Sequence, residues 1–322
     1  ETKTPYVPAG KSSVVIREIR GAPSLKMRLK NKVIIVTGGT SGIGKAIAER
    51  CVAEGARVLV HGIERADGKA LVKQLGAKRA ALCIADLVDP ASPAKIVAAA
   101  VKAFGRIDGI VNNAAIVART NLETTTVAFF ERMMAVNLRA PVFLVQAALP
   151  HLKKSEGSVL NIGSINAHSG QANLLDYSLS KGGLQTLSRN LANAHCNDRV
   201  RFNHLNVGWV LTDREYHHQI EHGMAADWHK TLPPQFAPSG RLIMPEEIAS
   251  ALWDKADDFA KVFLGGSTGV GDDAFDNCFD FGFIEHFGQE FLENCELCLF
   301  FISCFIASVC PKDFHGIFAF FG

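Results

Sequence analysis

From Lys32 onward the chain alternates short apolar runs with amphipathic stretches. Val33-Ile34-Ile35-Val36 is apolar without interruption, as expected of a strand covered on both faces. Ile43, Ile47 and Val52, with Ala46 and Ala53 between them, predict an amphipathic helix closed by Gly55. Val58-Leu59-Val60 and Ala81–Ala85 read as a second and a third strand, with helical stretches around Leu71-Val72 and over Ile96–Phe104. Ile107–Val111 leads a fourth strand into Asn112-Asn113-Ala114-Ala115. A long helical region, Thr125–Leu152, follows, and Pro141 is expected to kink or divide it. Ser158–Ile162 is a fifth strand, Leu175–His195 a helix and Val200–Val207 a sixth strand. Strands and helices alternating at this spacing make βαβ units, which predict a parallel sheet with helices on both faces in the α/β doubly wound arrangement.

The periodicity breaks at two places. Residues 209–241 hold Tyr216, Trp228, four of the eleven histidines and three prolines. An insertion of that length at the carboxyl end of a strand is expected to act as a lid over a ligand crevice. Past 252 the pattern is lost: fifteen of the 21 phenylalanines fall between Phe259 and the end, and Val262–Gly271 is only a weak candidate for a seventh strand. The expected organisation is an extension at 1–26, flexible or loosely attached, one domain at 27–252 and an atypical segment at 253–322.

Charge and cysteine refine this picture. The formal net charge is +2, too near neutral to suggest a nucleic acid or anionic membrane as partner. From Asp272 to the end, nine acidic residues face the single Lys312, so the rest of the chain carries about +10. Cys51, Cys83 and Cys196 fall within apolar or helical patterns and read as inert buried thiols. Cys278, Cys295, Cys298, Cys304 and Cys310 crowd the end. With no secretory apolar segment near the start, a reducing, cytoplasmic setting is expected. Leu297–Cys310 is apolar, but as a helix it would reach only about 21 Å against the ~30 Å of a bilayer core, so no membrane span is expected. His217, His218, His222 and His229 lack a carboxylate at metal-binding spacing, and Cys295–Cys298 lacks a second pair; no metal is expected.

The chemistry lies in two constellations. Thr37-Gly38-Gly39-Thr40-Ser41-Gly42-Ile43-Gly44 joins a buried strand to a helix. Glycines there permit a tight turn, close approach to a pyrophosphate and close packing of helix on strand, while the helix directs unpaired N–H groups at the phosphates. Downstream, Tyr177 precedes Lys181 by one helical turn, placing both on one face, and Ser164 precedes Tyr177 by thirteen residues. A phenol beside an ammonium and a hydroxyl is a set suited to general acid–base work.

These motifs resemble those of the short-chain dehydrogenase/reductases, over roughly Met27 to Ala251. The resemblance implies a Rossmann-type fold and an NAD(P)-dependent oxidoreductase acting on a secondary alcohol or ketone, on a sugar, polyol, oxoacyl or steroid-like skeleton. It implies that Tyr177 exchanges a proton with the substrate oxygen, and that Lys181 holds the nicotinamide ribose and lowers the tyrosine's pKa. Ser164 would bond the substrate oxygen, and Asn137 would anchor a water in a relay reaching Lys181. The implied cofactor contacts are Gly38, Thr40, Ser41, Gly42, Ile43, Gly44, Glu64, Asp86, Leu87, Asn113, Ala114, Tyr177, Lys181, Gly208, Val210 and Thr212. Ala115 replaces the family's usual glycine, and Val207 its usual proline. Gly62 stands where NAD-preferring members carry an aspartate, and neither Ser41 nor Ile63 offers the cation of NADP-preferring ones. Glu64 could reach a ribose and Arg65 a phosphate, so the cofactor is NAD or NADP with a slight lean to NAD. A homo-oligomer, dimer or tetramer, is expected through the helices over Thr125–Leu152 and Leu175–His195. The rival reading is a dinucleotide-sensing regulator of the same fold without turnover.

Overall fold

The computed structural model describes residues 27–232, 237, 239–254 and the backbone of 280–281. The expectations for 1–26, for Val262–Gly271, for the five cysteines of the last segment and for Leu297–Cys310 lie outside the described residues. The elements run β1 Val33–Val36, α1 Gly42–Ala53, β2 Arg57–Gly62, α2 Arg65–Leu75, β3 Ala80–Ile84, α3 Ser92–Phe104 and β4 Gly109–Asn112. After these come α4 Val127–Met134, α5 Ala140–Ser155, β5 Ser158–Ile162, α6 Leu175–Ala194, β6 Arg201–Leu205, α7 Asp213–Glu221 and α8 Pro245–Asp254.

The strands are all parallel, in the order β3-β2-β1-β4-β5-β6, and a two-residue strand, β7 Asp280–Phe281, pairs with His204–Leu205 at the β6 edge. The chain steps outward from β1 through β2 to β3, then crosses back to lay β4 on the other side of β1. That reversal leaves a crevice above the carboxyl ends of β1 and β4, where open α/β sheets hold their ligands.

Alternation along each strand sorts the core into two layers. Ile34 and Val36 pack with Ile47, Cys51, Leu71 and Ile248 on one face, while Ile35 and Leu59 pack with Ile96, Leu144, Leu152 and Phe202 on the other. Since both faces are covered, continuous apolar runs rather than alternating ones mark these strands.

The helical region expected over Thr125–Leu152 forms as two α-helices, α4 and α5, joined by a π-helical turn at Ala135–Arg139 that ends just before Pro141. The wider turn accommodates the N–H that the proline cannot donate. Val127–Ser155 is long and apolar enough to cross a membrane by length and composition; half of its most apolar window is buried inside the fold.

Residues 209–241 are more than a connection. They include α7, a short 3₁₀ turn at Trp228–Lys230, and a bridge from Val210 to Ile243 that returns the chain to the sheet edge before α8.

Candidate active site

The glycine turn is held from below by one hydroxyl and one amide. Thr37 Oγ1 donates to Val111 O at 3.2 Å and accepts from the N–H groups of Asn113 and Ala114 at 3.0 and 3.1 Å. Asn113 Nδ2 donates to the carbonyls of Thr37 and Gly38 at 2.9 and 3.1 Å. Gly38 and Gly42 adopt φ of +60° and +50°, a region that side chains resist. A Cβ on Gly38 would lie 2.9 Å from Ala114 Cα, and one on Gly42 3.1 Å from Thr212 Cγ2. Gly44 differs from these two. It faces inward, and a Cβ there would run into the Gly38 carbonyl and Asn113 Nδ2, so it serves the packing of α1 rather than a ligand.

Above the turn lies a cleft of about 1680 Å³ at the carboxyl edge of the sheet. Of the sequence-predicted cofactor residues, all line this cleft except Gly44; of the four catalytic candidates, all do except Asn137. The residues present fit a dinucleotide: Gly38 and Gly42 line the cleft with bare backbone, and the amino end of α1 supplies donors and a positive dipole end for phosphates. Farther along the cleft, Thr40 Oγ1 donates to Glu64 Oε2 at 2.8 Å. Asp86 lies beyond β3, its Oδ1 accepting from Val88 N at 3.0 Å.

At the other end, Tyr177 and Lys181 project from α6. The helix start is pinned by Thr125, whose hydroxyl donates to Asp176 Oδ2 at 2.6 Å. Tyr177 keeps part of its surface open to the cleft, yet its hydroxyl is enclosed closely enough that burial pushes the phenol up to about 12. The hydrogen bond with Ser164 pulls the other way, and the Glu215 carboxylate adds to the rise. Lys181 is 3% exposed and sends its ammonium to Ile162 O at 2.6 Å, with Nζ 5.7 Å from the centre of the Tyr177 ring. Burial brings the Lys181 ammonium down to about 8. Enclosure dominates at Tyr177, the lysine's own charge is costly there, and Ser164 supplies the lowering that exists.

Asn137 sits in the π-helical turn. Its Oδ1 accepts from Ile116 N at 2.8 Å, and its Nδ2 donates to Ile116 O and Ser180 Oγ at 3.0 Å each. Ser180 Oγ donates in turn to the Tyr177 carbonyl at 2.7 Å. Asn137 thus ties the loop after β4 to α6 from behind the cleft wall, and the residue expected to anchor a water has both its amide hydrogens committed to protein acceptors.

Several residues of consequence were missed in the sequence. A buried polar chain runs across the sheet from Asn112 through Asn161, Ser188 and His204 to Asn206, each link between 2.8 and 3.0 Å. It ends at the reacting side, where Asn206 Oδ1 accepts from Ser164 N at 3.1 Å. Its signal was available: Asn203, His204 and Asn206 put buried polar groups in and just after β6, where a strand covered on both faces ordinarily carries apolar ones. Gly163 answers to the same chain, because a Cβ there would collide with the His204 ring and with Asn206. Glu215 was missed as well, although Thr212-Asp213-Arg214-Glu215 has the spacing that announces a helix start. Among the described residues no group of His, Cys, Asp and Glu is placed to hold a metal ion.

Comparison with known proteins agrees with this geometry. A family model described as short chain dehydrogenase matches residues 32–221. The L-fucose dehydrogenase of Mus musculus is 32% identical over 227 residues, covering 70% of this chain and 81% of its own length. The meso-2,3-butanediol dehydrogenase of Serratia marcescens is 29% identical over 247 residues, covering 76% and 94%. A short-chain dehydrogenase/reductase of Cladobotryum sp, FrzI, is 41% identical over 191 residues, covering 58% and 73%.

Proposed function

The chain belongs to the short-chain dehydrogenase/reductase family and is an NAD(P)-dependent oxidoreductase of alcohols and ketones; from that premise we propose that Ser164, Tyr177 and Lys181 do its chemistry. The observation that carries this reading is their convergence on the cleft that also holds the glycine turn. A nicotinamide held in this cleft would supply or accept the hydride. The chain's own residues manage the proton: the Tyr177 hydroxyl donates to a ketone oxygen in reduction, and in oxidation its phenolate, left when the phenolic proton passes to solvent, takes the proton of the alcohol. Ser164 steadies the same oxygen and bonds the phenol. Lys181 is anchored on the Ile162 carbonyl, where it faces the ring and can reach a ribose hydroxyl. The non-catalytic alternative has no observation in its favour.

The cofactor reading is NAD. Support comes from the end of β2, where a Cβ on Gly62 would overlap the Thr40 side chain, so no acidic side chain fits at that position. Thr40 instead fixes Glu64, which lines the cleft, whereas Arg65 is exposed and does not. A fixed carboxylate accepts ribose hydroxyls and repels a 2′-phosphate. A homo-oligomer is supported by apolar side chains left open beside and along α4, α5 and α6: Leu122, Val127, Phe130, Phe143 and Leu179.

The test is nicotinamide absorbance with both cofactors against secondary alcohols and ketones. Tyr177→Phe is expected to lower kcat by about 10²- to 10⁴-fold while cofactor binding persists. Equal rates in the variant would remove Tyr177 from the role given to it.

A further inference from the structure

One carboxylate of the lid is unused by the reaction as described. Thr212 and Glu215 occupy the cap and third positions of α7, an arrangement in which the glutamate ordinarily folds back onto the cap's own N–H. Only half of that box forms. Thr212 Oγ1 accepts from Glu215 N at 3.1 Å, but the Thr212 N–H goes to Val210 O at 3.1 Å, and the carboxylate turns elsewhere. Its Oε1 accepts from the Trp209 indole and from Gln219 Nε2, both at 2.8 Å. These donors are themselves fixed: Trp209 stacks on buried Trp228 with ring centres 5.4 Å apart, and Gln219 is buried on α7. Oε2 takes no hydrogen bond among the described residues.

Glu215 lines the same cleft as Ser164 and Tyr177, near enough that its charge is felt at the phenol. The segment after β5 contributes Asn166, Ser169 and Gln171 to the same cleft. A carboxylate held in place at the wall of the cleft is a fixed acceptor for a donor brought by the substrate. A hydroxyl-bearing substrate can supply one, a monohydric alcohol with its single hydroxyl on Tyr177 cannot, and a substrate carboxylate would meet a like charge.

We infer that Glu215 is a specificity-determining residue whose outer oxygen accepts a hydrogen bond from a second hydroxyl of the substrate. The enzyme thereby selects neutral polyhydroxylated compounds, diols and sugars, over monohydric alcohols and hydroxy acids. This rests on the oxidoreductase reading at Tyr177, with the carbinol C–H bond broken to the nicotinamide and the hydroxyl proton passing to Tyr177 as above.

The experiment uses the full chain and three four-carbon secondary alcohols, 2,3-butanediol, 2-butanol and 3-hydroxybutanoate, each with NAD and NADP. Wild type is expected to rank them in that order by kcat/KM. Glu215→Ala lowers the ratio of 2,3-butanediol to 2-butanol by about 10- to 100-fold, the worth of a hydrogen bond to a charged group. Glu215→Gln keeps an oxygen for Trp209 and Gln219 and makes the outer atom a donor. It is expected to raise 3-hydroxybutanoate relative to 2-butanol. Thermal unfolding and NADH fluorescence establish that each variant is folded and binds cofactor. An unchanged diol-to-monohydric ratio in a folded Glu215→Ala overturns the inference, as does a wild type that turns over 2-butanol but not the diol; both leave the oxidoreductase reading standing. A wild type inert toward every alcohol and ketone overturns both.

Discussion

Around the glycine turn, side chains are spent on holding backbone. Thr37 and Asn113 each bond main-chain groups of the neighbouring loop, and glycines stand where a Cβ would strike the turn, the loop after β4 or Thr212. At α7 the relation is reversed, because its backbone serves to present side chains, and Glu215 is fixed at the cleft through one oxygen by Trp209 and Gln219. The first end recognises a ligand that never varies and can be rigid in sequence. The second recognises what distinguishes one enzyme of this fold from another, and no fixed motif marks it.

If that contrast is right, the turn tolerates no added atom. Gly44→Ala is expected to destabilise the protein by about 1–3 kcal/mol, because its Cβ meets a backbone carbonyl that cannot move aside, and to abolish cofactor binding. Urea unfolding and NADH fluorescence read both effects, and a fully stable, cofactor-binding variant would erase the difference between the two ends. A smaller effect is expected midway along the cleft. Glu64→Ala should shift the preference from NAD toward NADP by about tenfold, seen as the ratio of kcat/KM for the two cofactors, because a charge facing the 2′-position is gone. Should the ratio stay put, the Thr40–Glu64 pair is only a structural link.

The smallest expected effect is at the junction of the two ends. Burial lowers the Lys181 pKa from its ordinary 10.5 to about 8. The unfolded chain therefore binds a proton between these values that the folded one does not. The cost of a buried ammonium is fully present below pH 8 and vanishes as pH rises through 8 toward 10.5. Lys181→Met should accordingly be more stable than wild type at pH 7, with the advantage gone near pH 10.5, while activity is lost at both. Denaturant unfolding at the two pH values checks the sign. A variant destabilised at pH 7 would mean that the bond to Ile162 outweighs the cost of burying the charge.

Much of this was legible in the sequence, for physical reasons. Runs such as Val33–Val36 announce strands covered on both sides, and Gly38, Gly42, Ser164, Tyr177 and Lys181 stand at spacings that only their convergence explains. The π-helical turn at Ala135–Arg139 was not legible, since Pro141 signals a disturbance without saying whether the helix breaks or absorbs it. The tyrosine's surroundings were not legible, because spacing shows that a lysine is near but not how dry the site is or which acceptor the ammonium chooses. Glu215 escaped because its local pattern describes a helix cap, and only the fold reveals that its carboxylate left that duty for the cleft.

His204 and Gly163 exclude each other's alternatives across the β5–β6 boundary. While the imidazole fills that space, nothing larger than hydrogen is admissible on the residue preceding Ser164. A descendant that traded the ring for a small side chain would still hold Asn206 Oδ1 against that position, so the glycine is released only when both side chains give way. Three positions are therefore tied together beside the reacting hydroxyl, and a protein that lost the ring alone would carry a void beside its own chemistry.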